Sequence, residues 1–131
     1  MPDINPQALK NNFVTTWTVH AQGTNSVVTA TKAADESNSH YVTGFAVTAT
    51  TATGSEPDEM YLQILDGSSI VFYLHFQGIV VDAYAPGGPV ITHNFVAPLK
   101  VTAGNLVSLK VTGAGAPTTV TANIYGFTYL P

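Results

Sequence analysis

The sequence predicts an all-β protein: an antiparallel, two-sheet jelly-roll sandwich of about eight strands, preceded by an N-terminal arm. Thr and Val recur along most of the 131 residues. Their β-branched side chains favour strands, because they are stiff at χ1 and pack well on a pleated surface. Turn-forming residues separate the apolar segments at intervals of roughly 8–12 residues, a spacing typical of sandwiches and barrels. The number of segments exceeds that of a small five-stranded barrel and matches a jelly roll.

Nine segments have the composition of strands. In chain order they are residues 13–21, 26–33, 41–50, 60–65, 69–77, 79–83, 90–95, 106–112 and 119–129. The stretches between them are rich in Gly, Pro, Asn and Asp, each of which favours a turn for its own backbone reason. The clearest turn is Asp66-Gly67, because this dipeptide suits the two-residue primed turn of a β-hairpin.

Residues 1–12 are predicted to form an arm or a short helical turn ahead of one sandwich domain over residues 13–131. Asn5-Pro6 could cap one helical turn, since proline at the first helical position has its φ preset. An extended arm is the favoured alternative, because chain termini often lack regular structure. The N-terminus has neither a basic region nor an apolar region, and the longest apolar run, residues 70–76, is too short to span a bilayer. We therefore expect no membrane partner.

The charge composition argues against a nucleic-acid partner. Only 9% of the residues are charged, the net charge is −4, and the four cations are all lysines. No basic stripe is available to neutralise phosphates. The absence of cysteine also removes disulfides, thiolate nucleophiles and zinc-thiolate sites.

The four histidines do not have the spacing of a metal clamp. His20, His40, His75 and His93 each lie on a separate segment. A three-histidine site assembled across strands stays open as an alternative, because zinc sites depend on ligands that converge in space. The favoured interpretation is that His75 and His93 form hydrogen bonds at a strand surface or an interface. We expect no metal and no cofactor.

No catalytic motif is recognisable, so the protein is predicted not to be an enzyme. Asp66 and Asp82 lack a neighbouring carboxylate in the sequence, whereas paired-carboxylate hydrolysis needs two across a cleft. Gly67-Ser68-Ser69 belongs to a hairpin turn and not to a nucleophile elbow. The acidic cluster Glu56, Asp58 and Glu59 lacks the spacing of a calcium loop and is predicted to be a solvated loop tip.

Period-two alternation predicts which side chains face the core. In segment 69–77 the predicted core set is Ile70, Phe72, Leu74 and Phe76, and the outward set is Val71, Tyr73 and His75. In the last segment the inward set is Val120, Ala122 and Ile124, and the outward set is Tyr125, Phe127 and Tyr129. Both outward sets are largely apolar or aromatic, so a second covered surface is predicted. The arm of the same chain could supply the cover, but a neighbouring subunit is favoured.

Four stretches of the sequence carry a resemblance to a known family. They are residues 62–68 (LQILDGS), 92–95 (THNF), 97–106 (APLKVTAGNL) and the end of the last segment, 126–128 (GFT). In this order they resemble small jelly-roll capsid decoration (cement) proteins of tailed bacteriophages, including those of cyanophages. The resemblance covers roughly residues 42–130 and rests on strand and turn residues.

The resemblance implies a homotrimer on the outer surface of the virion head that bridges subunits of the major capsid protein. The residues predicted for the subunit interface are Tyr73, His75, Tyr125, Phe127 and Tyr129. The arm residues predicted to contact the capsid are Ile4, Leu9 and Phe13.

The alternative function is a receptor- or glycan-binding module of a phage fibre or baseplate. Aromatic side chains form the platforms of jelly-roll lectins, and the available ones are Trp17, Tyr41, Tyr61, Tyr84 and Tyr125. Trp17 alternates with Phe13 and Val19 and is therefore predicted to be a core residue. Tyr84, beside the turn at residues 85–89, is the best candidate for an exposed loop aromatic.

Overall fold

The structure, a computed structural model, describes residues 14–52, 59–77, 79–81, 91–115 and 118–129. These residues contain nine strands. They are β1 (Val14–Thr24), β2 (Val28–Lys32), β3 (Ser39–Ala52), β4 (Glu59–Asp66), β5 (Ser69–Gln77), β6 (Ile79–Val81), β7 (Ile91–Lys100), β8 (Val107–Thr112) and β9 (Thr118–Tyr129). The predicted arm, with Ile4, Leu9 and Phe13, lies outside the described residues. No helix in the described part of the chain is long and apolar enough to cross a membrane.

The strands form two sheets. The first sheet has the order β1-β9-β3, and β7 and the short β6 pair with successive parts of the far edge of β3. The second sheet has the order β2-β8-β4-β5. Every pairing is antiparallel except that of β6 with β3.

The long strands pair as a jelly roll. Apart from the short β6, the strands pair from the outside of the sequence inward: β1 with β9, β2 with β8, β3 with β7, and β4 with β5. A long hairpin rolled up on itself has this pattern, and the β3–β9 and β4–β8 pairings close the roll. The predicted fold class is confirmed.

The core fills the space between the two sheets. Inward side chains of β3 and β9 meet those of β4 and β8, and all of them are removed from solvent. The largest buried side chains include Phe45, Met60, Leu62, Ile64, Leu109 and Ile124. Trp17 on β1 belongs to the same cluster, as predicted. The inward set predicted for β9, Val120, Ala122 and Ile124, is also fully buried.

A bulge at Thr43 changes which residues of β3 face inward. The register to β9 shifts between Val42 and Gly44, so Thr43 has no partner in the ladder. The inward residues are even-numbered up to Val42 and odd-numbered from Phe45 onward. Opposite this bulge, residues 95–98 of β7 also depart from the ladder, because Leu99 pairs with Val42 and Asn94 pairs with Gly44. Pro98 is tolerated there, and β7 continues past the predicted end at residue 95 to Lys100.

A second register shift makes one core prediction wrong. Ile70 pairs with Leu65 and Phe72 with Ile64, so Val71 is an extra residue in β5. Because a one-residue shift moves a side chain to the other face, Ile70 turns outward and is 54% exposed. Phe72 and Phe76 stay half-buried against the core.

The predicted hairpin between β4 and β5 is present, but its two turn residues are Gly67 and Ser68, because Asp66 still pairs with Ser69 in the ladder. The hairpin is docked on the β7–β8 loop. Gly67 has a φ of +60°, and Ser68 has no positive φ, which matches a type II′ turn. One carboxylate oxygen of Asp66 accepts bonds from the backbone N–H of Thr102 at 3.0 Å and from its hydroxyl at 2.8 Å. The other oxygen accepts a bond from the Asn105 side chain at 2.8 Å. The carboxylate therefore holds two loops together.

One buried polar side chain, that of His40, links the β2–β3 loop to β9 at the edge of the core. Nε2 of His40 lies 2.7 Å from the carbonyl oxygen of Ala33, and Nδ1 lies 2.7 Å from the hydroxyl of Thr128. A carbonyl can only accept, so Nε2 donates to it, and Nδ1 forms the second hydrogen bond with the Thr128 hydroxyl. The buried imidazole is thus satisfied at both nitrogens.

Removing the Asp66 carboxylate is expected to lower stability in a pH-dependent way. Burial raises the pKa of Asp66, but the hydrogen bonds from Asn105 and Thr102 outweigh it and leave the pKa below 3.8. A lowered native pKa stabilises the fold above the unfolded-state value, and this stabilisation is lost as pH falls through the native value. Asp66→Ala should therefore cost about 1–2 kcal/mol at pH 7, allowing for partial exposure, and less below about pH 4.

Urea unfolding of both proteins at pH 7 and in steps toward pH 3 measures this difference. Glu36→Gln, at an exposed carboxylate in the β2–β3 loop, is the control and should change stability little at either pH. A cost for Asp66→Ala that does not vary with pH would show that the ionised carboxylate is not the stabilising group.

Candidate interaction surfaces

The first sheet carries an aromatic surface on its outer face. Its members come from β3 and β9, and we call them the β9 patch: Tyr41, Tyr125, Phe127 and Tyr129. Strand alternation places the β9 residues outward, because Val120, Ala122 and Ile124 are buried on the opposite side. Tyr41 lies opposite Phe127 in the β3–β9 register, which brings a fourth ring to this end of the sheet.

Contacts within the β9 patch fix its rings in place. Tyr41 and Phe127 stack with ring centroids 5.0 Å apart and planes 7° from parallel. The Tyr125 hydroxyl donates to the side-chain oxygen of Asn94 on β7 at 2.7 Å. Tyr129 is 46% exposed. The patch is therefore an ordered apolar surface with one strongly exposed tyrosine.

The second sheet carries a separate aromatic surface on its own outer face. We call it the β5 patch: Tyr61, Ile70, Val71, Tyr73 and His75. Tyr61 and Tyr73 stack at 5.7 Å, and the rings of Tyr73 and His75 lie 5.2 Å apart. Tyr73 is 50% exposed, and β5 is the edge strand of the sheet. An exposed apolar edge strand is a surface that proteins usually protect or pair.

A chain of polar contacts runs along the β5 patch. The Tyr73 hydroxyl and Nε2 of His75 are hydrogen-bonded at 2.6 Å, and Nδ1 of His75 lies 3.6 Å from a carboxylate oxygen of Glu59. The side chains of His75 and Glu59 are 57% and 79% exposed, so solvent screens this ion pair. The contacts orient the two rings on a flat, open face.

The five predicted interface residues divide between the two surfaces. Tyr73 and His75 lie together on the β5 patch, whereas Tyr125, Phe127 and Tyr129 lie together on the β9 patch. The two sets are on opposite faces of the sandwich. Sequence reasoning did not include Tyr41 or Tyr61 in the interface, because their positions depend on pairing with β9 and β5. The arm residues and the loop candidate Tyr84 lie outside the described residues.

The outer face of β1 and of the first half of β9 is polar. The outward residues of β1 and of the first half of β9 are Thr16, Thr18, His20, Gln22, Thr24, Thr119, Thr121 and Asn123. On β9 the aromatic outward side chains therefore lie only in its second half, from Tyr125 to Tyr129. These polar residues mark where the β9 patch ends.

The histidines of the described residues are dispersed. His20 is on the outer face of β1, His40 is in the core, and His75 is on the β5 patch. His93 packs edge-on against Phe95 at 4.7 Å, with Phe45 and Phe72 nearby. Within the described ranges, no group of three His, Asp or Glu side chains is placed to hold a metal ion.

No family model matches the chain, and no curated protein or solved structure matches it either. The resemblance to phage decoration proteins therefore stays a prediction from the sequence.

Proposed function

We propose that this protein is a structural component of a phage virion that decorates the outer surface of the head and bridges major capsid protein subunits as a homotrimer. The observation that carries the proposal is the pair of aromatic patches on opposite faces of one sandwich, each with one tyrosine that is about half exposed. Apolar surfaces of this kind mark contacts with other protein. The resemblance of residues 42–130 to decoration proteins supplies the choice of partner.

The position of the patches favours contacts between unlike surfaces. A two-fold contact would bury one patch against its own copy and leave the other patch in solvent. A head-to-tail contact, in which the β5 patch of one subunit meets the β9 patch of the next, covers both kinds of patch, and it closes into a trimer where each contact turns the next subunit by a third of a full rotation. Tyr73 and Tyr129, the most exposed tyrosines of the two patches, would then lie at the same contact.

A trimer gives a mechanical function to weak contacts with the shell. Three arms tethered to one body make the second and third contacts intramolecular, which raises the overall affinity by about 10²–10⁴ over a single contact. Because the trimer binds the assembled shell and not its separated subunits, it stabilises the assembled state by mass action. Ile4, Leu9 and Phe13 are the arm residues proposed to dock on the capsid.

Binding to undecorated heads tests this function. Heads purified from phage deleted for this chain should bind the added protein, sediment with it, and release their DNA at a higher temperature than bare heads. Replacing Ile4, Leu9 and Phe13 together by alanine keeps the length of the arm. We expect this variant to keep the oligomeric mass and to lose at least about tenfold in head affinity, because three tethered contacts weaken together.

His20→Ala is the matched control, since His20 is exposed on β1 outside both patches. It should bind heads like the unaltered protein. If phage heads assemble completely without this protein and then fail to bind it when it is added, the capsid function is refuted. Normal binding by the arm variant would refute the role of the arm.

A further inference from the structure

A cavity lies between the two sheets, at the end of the sandwich where β1 begins. Its volume is about 280 Å³, and none of its lining residues belongs to either aromatic patch. Sites for free small molecules span roughly 300–1,000 Å³, so this cavity is at the lower limit of that range. Its size suits a single side chain that a bound protein inserts.

The first sheet supplies one wall of the cavity from a single row of side chains. Thr15 on β1 pairs with Thr128 on β9, and Thr128 pairs with His40 on β3. Thr128 is buried on the inner face of the sheet, whereas its neighbours Phe127 and Tyr129 belong to the β9 patch on the outer face. A subunit seated on the β9 patch is therefore on the other side of this sheet and does not cover the wall.

The end of β2 and the loop after it supply the opposite wall. Lys32 is the last residue of β2, and Ala34 and Asp35 follow it in the loop. Nε2 of His40 donates to the carbonyl oxygen of Ala33 at 2.7 Å, which ties this loop to the first sheet. A partner that enters the cavity thus meets walls that need little ordering on binding.

The two charged side chains of the lining differ in how they are engaged. One carboxylate oxygen of Asp35 accepts bonds from the Asn38 side chain at 2.9 Å and from the N–H of Ser37 at 3.2 Å. These bonds lower the pKa of Asp35 from its ordinary value of 3.8. The ammonium group of Lys32 forms no ion pair with any residue that the structure describes. A negatively charged partner group therefore meets a cation that is not already neutralised.

The cavity lies at the root of the predicted arm. β1 begins at Val14, and the next residue, Thr15, lines the cavity. In the proposed function the two patches meet neighbouring subunits and the arm docks on the shell. The end of the sandwich from which the arm leaves then faces the shell. A capsid subunit held by the arm is therefore within reach of the cavity.

We propose that this cavity receives an acidic side chain of a major capsid protein subunit, with the carboxylate on Lys32 and the apolar stem against Ala34. The Thr15 hydroxyl can donate a second hydrogen bond to the carboxylate. The inference rests on the proposed function and adds a charged contact to the apolar contacts of the arm. A trimer carries three such cavities, so three weak ion pairs act together.

Binding to undecorated heads tests the charge and the space of the cavity separately. Lys32→Met removes the ammonium group and keeps the apolar stem, whereas Ala34→Trp fills the cavity and keeps the charge. An exposed ion pair contributes about two- to threefold to affinity, which multiplies to roughly tenfold over three tethered contacts. We expect at least this loss of head affinity for each variant, and a weaker salt dependence for Lys32→Met. Neither side chain is buried, so the oligomeric mass and the melting temperature should not change.

Lys110→Met and Val96→Trp are the matched controls. Lys110 lies on the outer face of the second sheet, and Val96 is fully exposed on β7. Both controls should bind heads like the unaltered protein. Normal head binding by Lys32→Met or by Ala34→Trp would overturn the role of the cavity and leave the proposed function in place. Failure of the unaltered protein to bind heads would overturn both.

Discussion

Gly126→Ala should abolish folding or lower the free energy of unfolding by at least about 4 kcal/mol. Gly126 is in the middle of β9, paired with Trp17 on β1 and Val42 on β3. A Cβ at this position would overlap the carbonyl oxygen of Tyr41 and approach Cζ2 of Trp17 to 3.0 Å. The carbonyl is part of the backbone of β3, so it can retreat only if β3 and β9 separate. Loss of that pairing would open the roll between the two strands that join the halves of the first sheet.

Gly23→Ala is the control for this substitution. The same added methyl group would lie 2.6 Å from the hydroxyl oxygen of Ser26, which is the end of a rotatable side chain, and 3.1 Å from a Val28 methyl group. Rotation can relieve most of this contact, so we expect a cost of about 1 kcal/mol. Denaturant unfolding followed by circular dichroism measures both variants. Similar costs for the two would contradict the packing described for Gly126.

The second large effect is a loss of oligomerisation when one aromatic patch is made charged. Tyr73→Lys should make the protein monomeric if the proposed trimer forms, because it places an ammonium group in an apolar contact that would be desolvated. Tyr129→Lys should do the same from the other patch. Both side chains are about half exposed in the single chain, so the fold itself should persist. In a ring where every contact joins one β5 patch to one β9 patch, each substitution is present in every contact, so either one alone disrupts all of them.

Mixing the two variants distinguishes a ring of unlike contacts from a two-fold contact. Each variant keeps one intact patch, and the β9 patch of the Tyr73→Lys chain can meet the β5 patch of the Tyr129→Lys chain. We expect the mixture to form a dimer, although each variant alone is monomeric. Val96→Lys, at a fully exposed position outside both patches, should stay trimeric. A mixture that stays monomeric would contradict contact between the two patches.

Much of the fold follows from local sequence signals. The β4–β5 hairpin requires a positive φ that Gly67 supplies, so its place is predictable to within one residue. β9 alternates without interruption, so its two faces are predictable. Trp17 is placed in the core by the same alternation. These features depend on one strand or one turn at a time, which is why one sequence suffices to predict them.

Features that depend on pairing between distant strands were not predictable. The extra residue Val71 reverses the side on which Ile70 lies, and nothing in the alternation of segment 69–77 indicates it. The bulge at Thr43 opposite residues 95–98 explains how Pro98 fits in β7. Tyr41, Lys100 and Tyr129 come together at one end of the first sheet through the β3–β7 and β3–β9 pairings, which no local signal in the sequence indicates.

The molar mass of the unaltered chain at micromolar concentration, measured by light scattering during size-exclusion chromatography, tests most directly whether the two aromatic patches are covered by protein. We predict a particle of about three times the chain mass of 13.7 kDa. A homogeneous species of 13.7 kDa would leave both patches in solvent and contradict the account.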